Sequence, residues 1–224
     1  MKKTLLVLAL AAAFAPALAQ AEAGDWVVRI RAVDVVPNES SDLGKIANAA
    51  GVPVSSYAEL TVDNNVIPEL DISYYFTKNI AAELILALGT RHDVNIANNT
   101  GALGNQNLGS VNMLPPTLTA QWHFMPDQTF DPYVGAGVNY THSFDHNLTA
   151  SGVVPIRIDR NMFGFVAQAG FDINLKNGWL INADVKYVTM NTDVEAQLAP
   201  NTWTKIDDLD INPWVFGIGI GKKF

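Results

Sequence analysis

The chain has 224 residues, with 14 Lys and Arg against 22 Asp and Glu, a net charge of -8 and no cysteine, and 49% of it is hydrophobic. The acidic balance, with no basic stripe anywhere, excludes nucleic acid as a partner, and a chain without cysteine is not a disulfide scaffold. The length suits one domain.

The first 21 residues read MKKTLLVLALAAAFAPALAQA. Lys2 and Lys3 form a positive start, residues 5–15 an apolar core, and small residues offer cleavage after Ala19 or Ala21; this is the pattern of a signal peptide. The run is shorter than the ~20 residues a spanning helix needs. Its removal takes two lysines and no acid, so the net charge passes from -8 to -10, and residues 22–224 remain as a single domain. Beyond it no apolar run approaches ~18 residues, which excludes a helical membrane protein. An exported, apolar, cysteine-free chain points instead to a barrel in an outer membrane, because only helices and closed barrels satisfy every backbone group inside lipid.

Period-two alternation then predicts eight strands. In DWVVRIRAV, Trp26, Val28, Ile30 and Ala32 share one face, with Arg29 and Arg31 on the other. In PELDISYYF, Leu70, Ile72, Tyr74 and Phe76 oppose Glu69, Asp71 and Ser73. In IAAELILAL, Ala82, Leu84 and Leu86 oppose Glu83 and Ile85, and in TLTAQWHF, Leu118, Ala120, Trp122 and Phe124 oppose Gln121 and His123. The fifth strand is PYVGAGVNY. The sixth sets Phe163, Phe165 and Phe171 against Gln168 and Asp172, and the seventh Trp179, Ile181, Ala183, Val185 and Tyr187 against Asn182, Asp184 and Lys186. The eighth carries Trp214, Phe216, Ile218, Ile220 and Phe224 on one face. Eight is an even number, as bacterial barrels require.

The connections alternate. TKN, MPDQT and LKNG are short, whereas residues 37–65, 91–113, 141–160 and 189–209 contain long connections rich in Asn, Gly, Ser and Asp. Short periplasmic turns and long outer loops define an up-and-down outer-membrane barrel, so both termini are expected in the periplasm and the long loops outside the cell. Aromatics gather at both strand ends, as bilayer interfaces favour. Alternation alone leaves open which face points inward. A soluble lipocalin-like carrier would bury the apolar face; a membrane barrel buries Arg29, Arg31, Glu69, Asp71, Glu83, Asp172, Asp184 and Lys186, which must then pair. Loop asymmetry, the aromatic ends and Phe224 favour the membrane barrel. A final aromatic of this kind is expected to be read by the outer-membrane assembly machinery, although Lys222 stands where such barrels usually carry another aromatic.

LPPTLTAQWHF, FDPYVGAGVNYT, NIAAELILA and NPWVFGIGIGKKF closely resemble the OmpW family of Gram-negative outer-membrane proteins, strand by strand over the mature chain. The resemblance implies an eight-stranded barrel with a narrow, partly hydrophobic interior, involved in uptake of small hydrophobic molecules, some members being bacteriocin receptors. It also implies a gate: Ile85 matches one gate position, and the opposing one, typically tryptophan, is Lys186 here, placed to pair with Glu83 or Glu69.

An eight-stranded interior holds side chains or one small ligand and no wide aqueous pore. Solutes entering from the loop side are expected to meet Leu103, Leu108, Met113 and Leu114, then to leave sideways near Pro115 and Pro116, where proline cannot donate to the ladder. His142, Asp145 and His146 lie in a segment read as a loop and lack a third ligand at helical spacing, so no metal site is expected. His123 has no nucleophile beside it, so neither catalysis nor a cofactor is expected. The alternative function is a surface barrel that serves as receptor for a bacteriocin, a phage or host contacts.

Overall fold

The computed structural model describes residues 22–87, 90–146 and 148–224, with the side chains of residues 145 and 146 also left aside; the expected leader, residues 1–21, lies outside the described residues. In chain order, β1 (Trp26–Val36) leaves the turn end, and β2 (Ser40–Ser41), helix α1 (Leu43–Ala49) and β3 (Glu59–Val62) follow at the far end before β4 (Asn65–Tyr75) returns. β5 (Ile80–Ala87) and β6 (Thr90–Ala97) run out again, and β7 (Gln106–Leu114) and β8 (Thr117–His123) come back. β9 (Phe130–His146) is followed by the small hairpin of β10 (Leu148–Ala150) and β11 (Val154–Ile158), then by β12 (Asn161–Asn174). β13 (Trp179–Val188), β14 (Asn191–Ala199), β15 (Thr202–Asp210) and β16 (Trp214–Lys223) complete the chain.

Eight of these strands, β1, β4, β5, β8, β9, β12, β13 and β16, close an antiparallel barrel, with β16 pairing back onto β1 and β9 onto β12. The alternation decides the faces. Ile30 is 64% exposed while Arg29 and Arg31 beside it are buried, and Phe163 and Phe165 stand outward, each 74% exposed. The outer face is therefore a continuous apolar band and the interior is charged, which is the inverse of a soluble carrier. Such a band in water would be a large exposed hydrophobic patch; in lipid it is at home. Its height fits. The Phe130–Phe171 ring pair (5.2 Å) marks one edge and the Tyr140–Phe163 pair (4.8 Å) the other. They are ten residues apart on β9, so at ~3.4 Å per residue and a tilt of ~40° the band is about 26 Å tall.

The final strand explains its own glycines. Arg31 faces Gly219 and Arg29 faces Gly221 in register. A Cβ on Gly219 would collide with the Ile30 carbonyl and Arg31, and one on Gly221 would sit 2.7 Å from Arg29 Cγ. In GIGIG the isoleucines meet lipid and the glycines leave room for two arginines.

The long connections are not loops. β3, β6 and β7 extend the barrel sheet, and β10, β11, β14, β15 and β2 form a second sheet above it. Together with α1 they enclose an apolar core that includes Leu43, Leu60, Leu108, Val111, Leu148 and Leu209. His142, expected in a loop, lies on β9, where its Nδ1 is 2.8 Å from Asn161 Oδ1. Buried apolar alternation in these segments, concealed by the polar residues between, gives each strand a partner.

Candidate functional site: a closed lumen beneath an apolar chamber

Alternate residues of β1 set the order of the interior. Val27 belongs to an apolar floor with Tyr75, Ala81 and Leu180; Arg29 and Arg31 follow; Val33 then joins Ile67, Ala87 and Val215 in a second apolar layer. The lumen is thus apolar, charged, then apolar from the turn end outward.

The charged layer is a mesh. Arg29 Nη2 is 2.6 Å from Asp172 Oδ2, and its Nη1 donates to Ser73 Oγ at 2.7 Å and lies 3.3 Å from Glu83 Oε1. Arg31 reaches Glu69 (2.8 Å), Asp71 (2.5 Å) and Asp184 (2.8 Å) with three different nitrogens. Lys186 Nζ sits 3.0 Å from both Glu69 and Asp184. Of the two partners expected for Lys186 the structure supplies Glu69. Glu83 is instead held by Gln121 and Gln168 at 2.8 and 2.9 Å. Asn182 joins the Arg29 and Arg31 groups, accepting from Arg31 at 3.0 Å and donating to Asp172 at 2.8 Å. Below them His123 Nδ1 meets Asp131 at 2.7 Å and its Nε2 meets Tyr75 Oη at 3.1 Å. Charge buried in this way is tolerable only when paired: Arg29, Arg31 and Lys186 each face at least two acids, and Asp71 is held to Arg31 by charge without a hydrogen bond.

Directly above the Glu69–Lys186 pair is a cavity of ≈ 90 Å³. Its wall is apolar, with Val33, Ile67, Ile85, Val188 and Val215 around it. Met113, Val62, His92 and Ile211 form a collar shared with a smaller enclosed void of ≈ 20 Å³ in the outer core. Ile85 and Lys186, expected to face one another, both line the cavity, as do Met113 and Pro115. The other expected mouth residues do not. Leu108 is buried in the outer core, Leu103 packs on that core, and Leu114 points outward from the wall at 39% exposure. Leu114 follows Met113 by one residue, and strand parity sends the two to opposite faces.

At Pro115 and Pro116 the wall ladder is interrupted. β5 and β8 pair only as far as Ile85–Thr117, and β7 meets β9 at Leu114–His142. The break is stitched by Asn139 Nδ2, which donates to Thr117 Oγ1 at 2.8 Å and to Pro115 O at 3.3 Å, and by the Tyr140 N–H on Pro116 O at 3.0 Å. Sequence reasoning placed Gln168 and Asn139 on the inner faces of their strands but gave them no role, because their partners Glu83 and Thr117 lie 85 and 22 positions away, and it did not single out Met190. Among the described residues no group of three His, Asp or Glu side chains is arranged to hold a metal.

An eight-stranded barrel with an apolar outer band, two aromatic girdles and a charged, ion-paired lumen is a bacterial outer-membrane barrel. More particularly, the chain belongs to the OmpW family, whose sequence profile matches residues 22–224. It is 38% identical to outer membrane protein W of Vibrio cholerae over 232 residues, covering all of both chains. The crystal structure of OprG from Pseudomonas aeruginosa is similar in fold, with a TM-score of 0.77, 28% identity, and 92% of this chain and 98% of that one covered. A further relative, 27% identical over 91% of this chain and 90% of its own, is the dibenzothiophene metabolism operon protein PahQ of Pseudomonas aeruginosa.

Proposed function

We propose that the barrel carries small hydrophobic molecules inward from the cell surface, holds them in the apolar cavity above the charged layer, and releases them sideways into the bilayer near Pro115 and Pro116. One observation carries the reading: an apolar cavity whose floor is an ion pair and whose wall has a gap in its ladder. A molecule there cannot go straight down without entering the charge mesh, whereas the wall beside it is unpaired on the β5 side and held on the β9 side by the Asn139 side chain and the Tyr140–Pro116 backbone bond. The cavity, at ≈ 90 Å³, is smaller than the roughly 150 Å³ that accommodates a benzene ring in an engineered apolar void, so the collar must yield as an aromatic solute enters. The name of the PahQ relative, which ties it to an operon for an apolar sulfur heterocycle, agrees with this solute class.

The test is uptake of naphthalene by cells carrying the folded barrel. Ile85→Asp, which puts a carboxylate in the cavity wall, should lower uptake severalfold with the barrel still folded. Leu114 substitutions, on the outer face, should leave it unchanged. If cells with the wild-type barrel gain no uptake over cells without it, the channel reading fails and the receptor reading replaces it. We also propose that the outward ring of Phe224 is the feature that the assembly machinery recognises, and that residues 1–21 are the cleaved export signal.

A further inference from the structure

Around the barrel from the proline break the wall has another gap. The β12–β13 ladder ends at Val166–Val188, and β14 turns away to pair with β11 and β15. Below the gap, Thr189 clamps the edge: its Oγ1 accepts the Phe165 N–H at 2.8 Å and its own N–H donates to Phe165 O at 2.9 Å. Above it, Asp159 and β14 are tied by the Asp159 N–H on Thr192 Oγ1 and the Asp193 N–H on Asp159 Oδ2, both at 3.0 Å. Between these clamps residues 161–164 pair with β9 alone. A Cβ on Gly164 would collide with Thr189 O, so the strand passes this edge only as glycine.

Each side of the gap is hollow. On the outside is a cleft of ≈ 600 Å³ whose apolar lining is Val138, Phe163, Phe165 and Met190, with Asn191 on its rim. On the inside is the cavity above the charged layer. Among the described residues Met190 alone lines both. Its backbone is fixed, the N–H donating to Asn212 Oδ1 at 2.9 Å and the carbonyl accepting from Ile211 at 2.8 Å. Its side chain is bound by nothing polar, and methionine is unbranched with three rotatable bonds. Met190, common to the two hollows, can move by side-chain rotation alone; the proline break is crossed by the Asn139 and Tyr140 hydrogen bonds. Phe163 belongs to the outer girdle and Phe165 stands two residues deeper, so the cleft faces the outer edge of the hydrocarbon.

We propose that Met190 is the door of a second lateral port, through which small apolar molecules pass from the inner cavity into the membrane between β12 and the junction of β13 and β14. The proposal rests on the solute reading above. Its experiment uses naphthalene uptake by cells carrying wild type, Asn191→Trp or Met190→Ala, with folding checked by the gel mobility of the unboiled barrel. Asn191 is exposed and lines the cleft but not the cavity, so a tryptophan there covers the port from outside; uptake should fall severalfold, and Met190→Ala should raise it. As the chain has no cysteine, Met190→Cys gives a single thiol, expected to react with an apolar, membrane-partitioning maleimide and to be protected by naphthalene. These labelling data decide the matter if Asn191→Trp fails to fold. Absence of uptake by wild type overturns the solute reading itself. Wild-type uptake with both folded variants unchanged, or a thiol in the Met190→Cys variant that is inert to the apolar maleimide, overturns the port alone.

Discussion

Arg31 and Lys186 occupy neighbouring places in the charge mesh but do not carry it equally. Asp71 has Arg31 as its ion-pair partner, whereas Glu69 and Asp184 are each shared between Arg31 and Lys186. Breaking a buried pair by removing one member costs about 3–5 kcal/mol, because the other charge is left uncompensated. Arg31→Met should therefore destabilise the barrel at the top of that range or prevent folding. Lys186→Met leaves both acids with a cation and should cost clearly less. Urea unfolding in lipid vesicles measures the difference, and equal losses would contradict the mesh. The members of this layer were legible from the sequence, since charges at every second position of apolar strands had to share one face. The pairings were not: Arg29 and Asp172 are 143 positions apart, and nothing local tells Asp172 from Asp184 as its partner.

At the level of elements the barrel strands were legible for the same reason, their period of two, whereas the outer sheet was not. The strands above the barrel are polar between their buried residues and interrupted, with register shifts at Val94–Asn95 in β6 and Val194–Glu195 in β14. The alternation Leu148, Ala150 and Ile156, Ile158 was present but looked like loop composition. The consequence is testable on intact cells. Protease should cut within the exposed turns near residues 51–57, 98–104, 151–153 and 200–201 and spare the strands between them; early cleavage inside β14 or β15 would contradict the outer sheet. The last strand gives a different prediction. The Phe224 backbone exchanges hydrogen bonds with Trp26 at 2.8 and 3.2 Å, and its ring projects outward. Phe224→Ser keeps those bonds, so refolding in vitro should be nearly unchanged while the amount of assembled barrel in cells falls. Normal cellular assembly would refute its proposed role. Lys222, the departure from an aromatic, lies 5.1 Å from the Trp179 ring and 5.9 Å from that of Phe224; its stem covers apolar surface while the ammonium stays at the interface over two π faces.

For the whole molecule, the layers of the lumen define what can move. Water and ions arriving from outside meet an apolar chamber, and beyond it a mesh in which the charges are already paired. In the proposed function a small apolar molecule finds the chamber favourable and the mesh forbidding, so its exit is through the wall. The direct measurement is a crystal structure of the barrel soaked with bromobenzene. The account predicts an anomalous bromine peak inside the cavity bounded by Val33, Ile67 and Ile85, above an unbroken Glu69–Lys186 pair. A file of ordered water running from that cavity to the periplasmic end, with no bromine in the chamber, would contradict it.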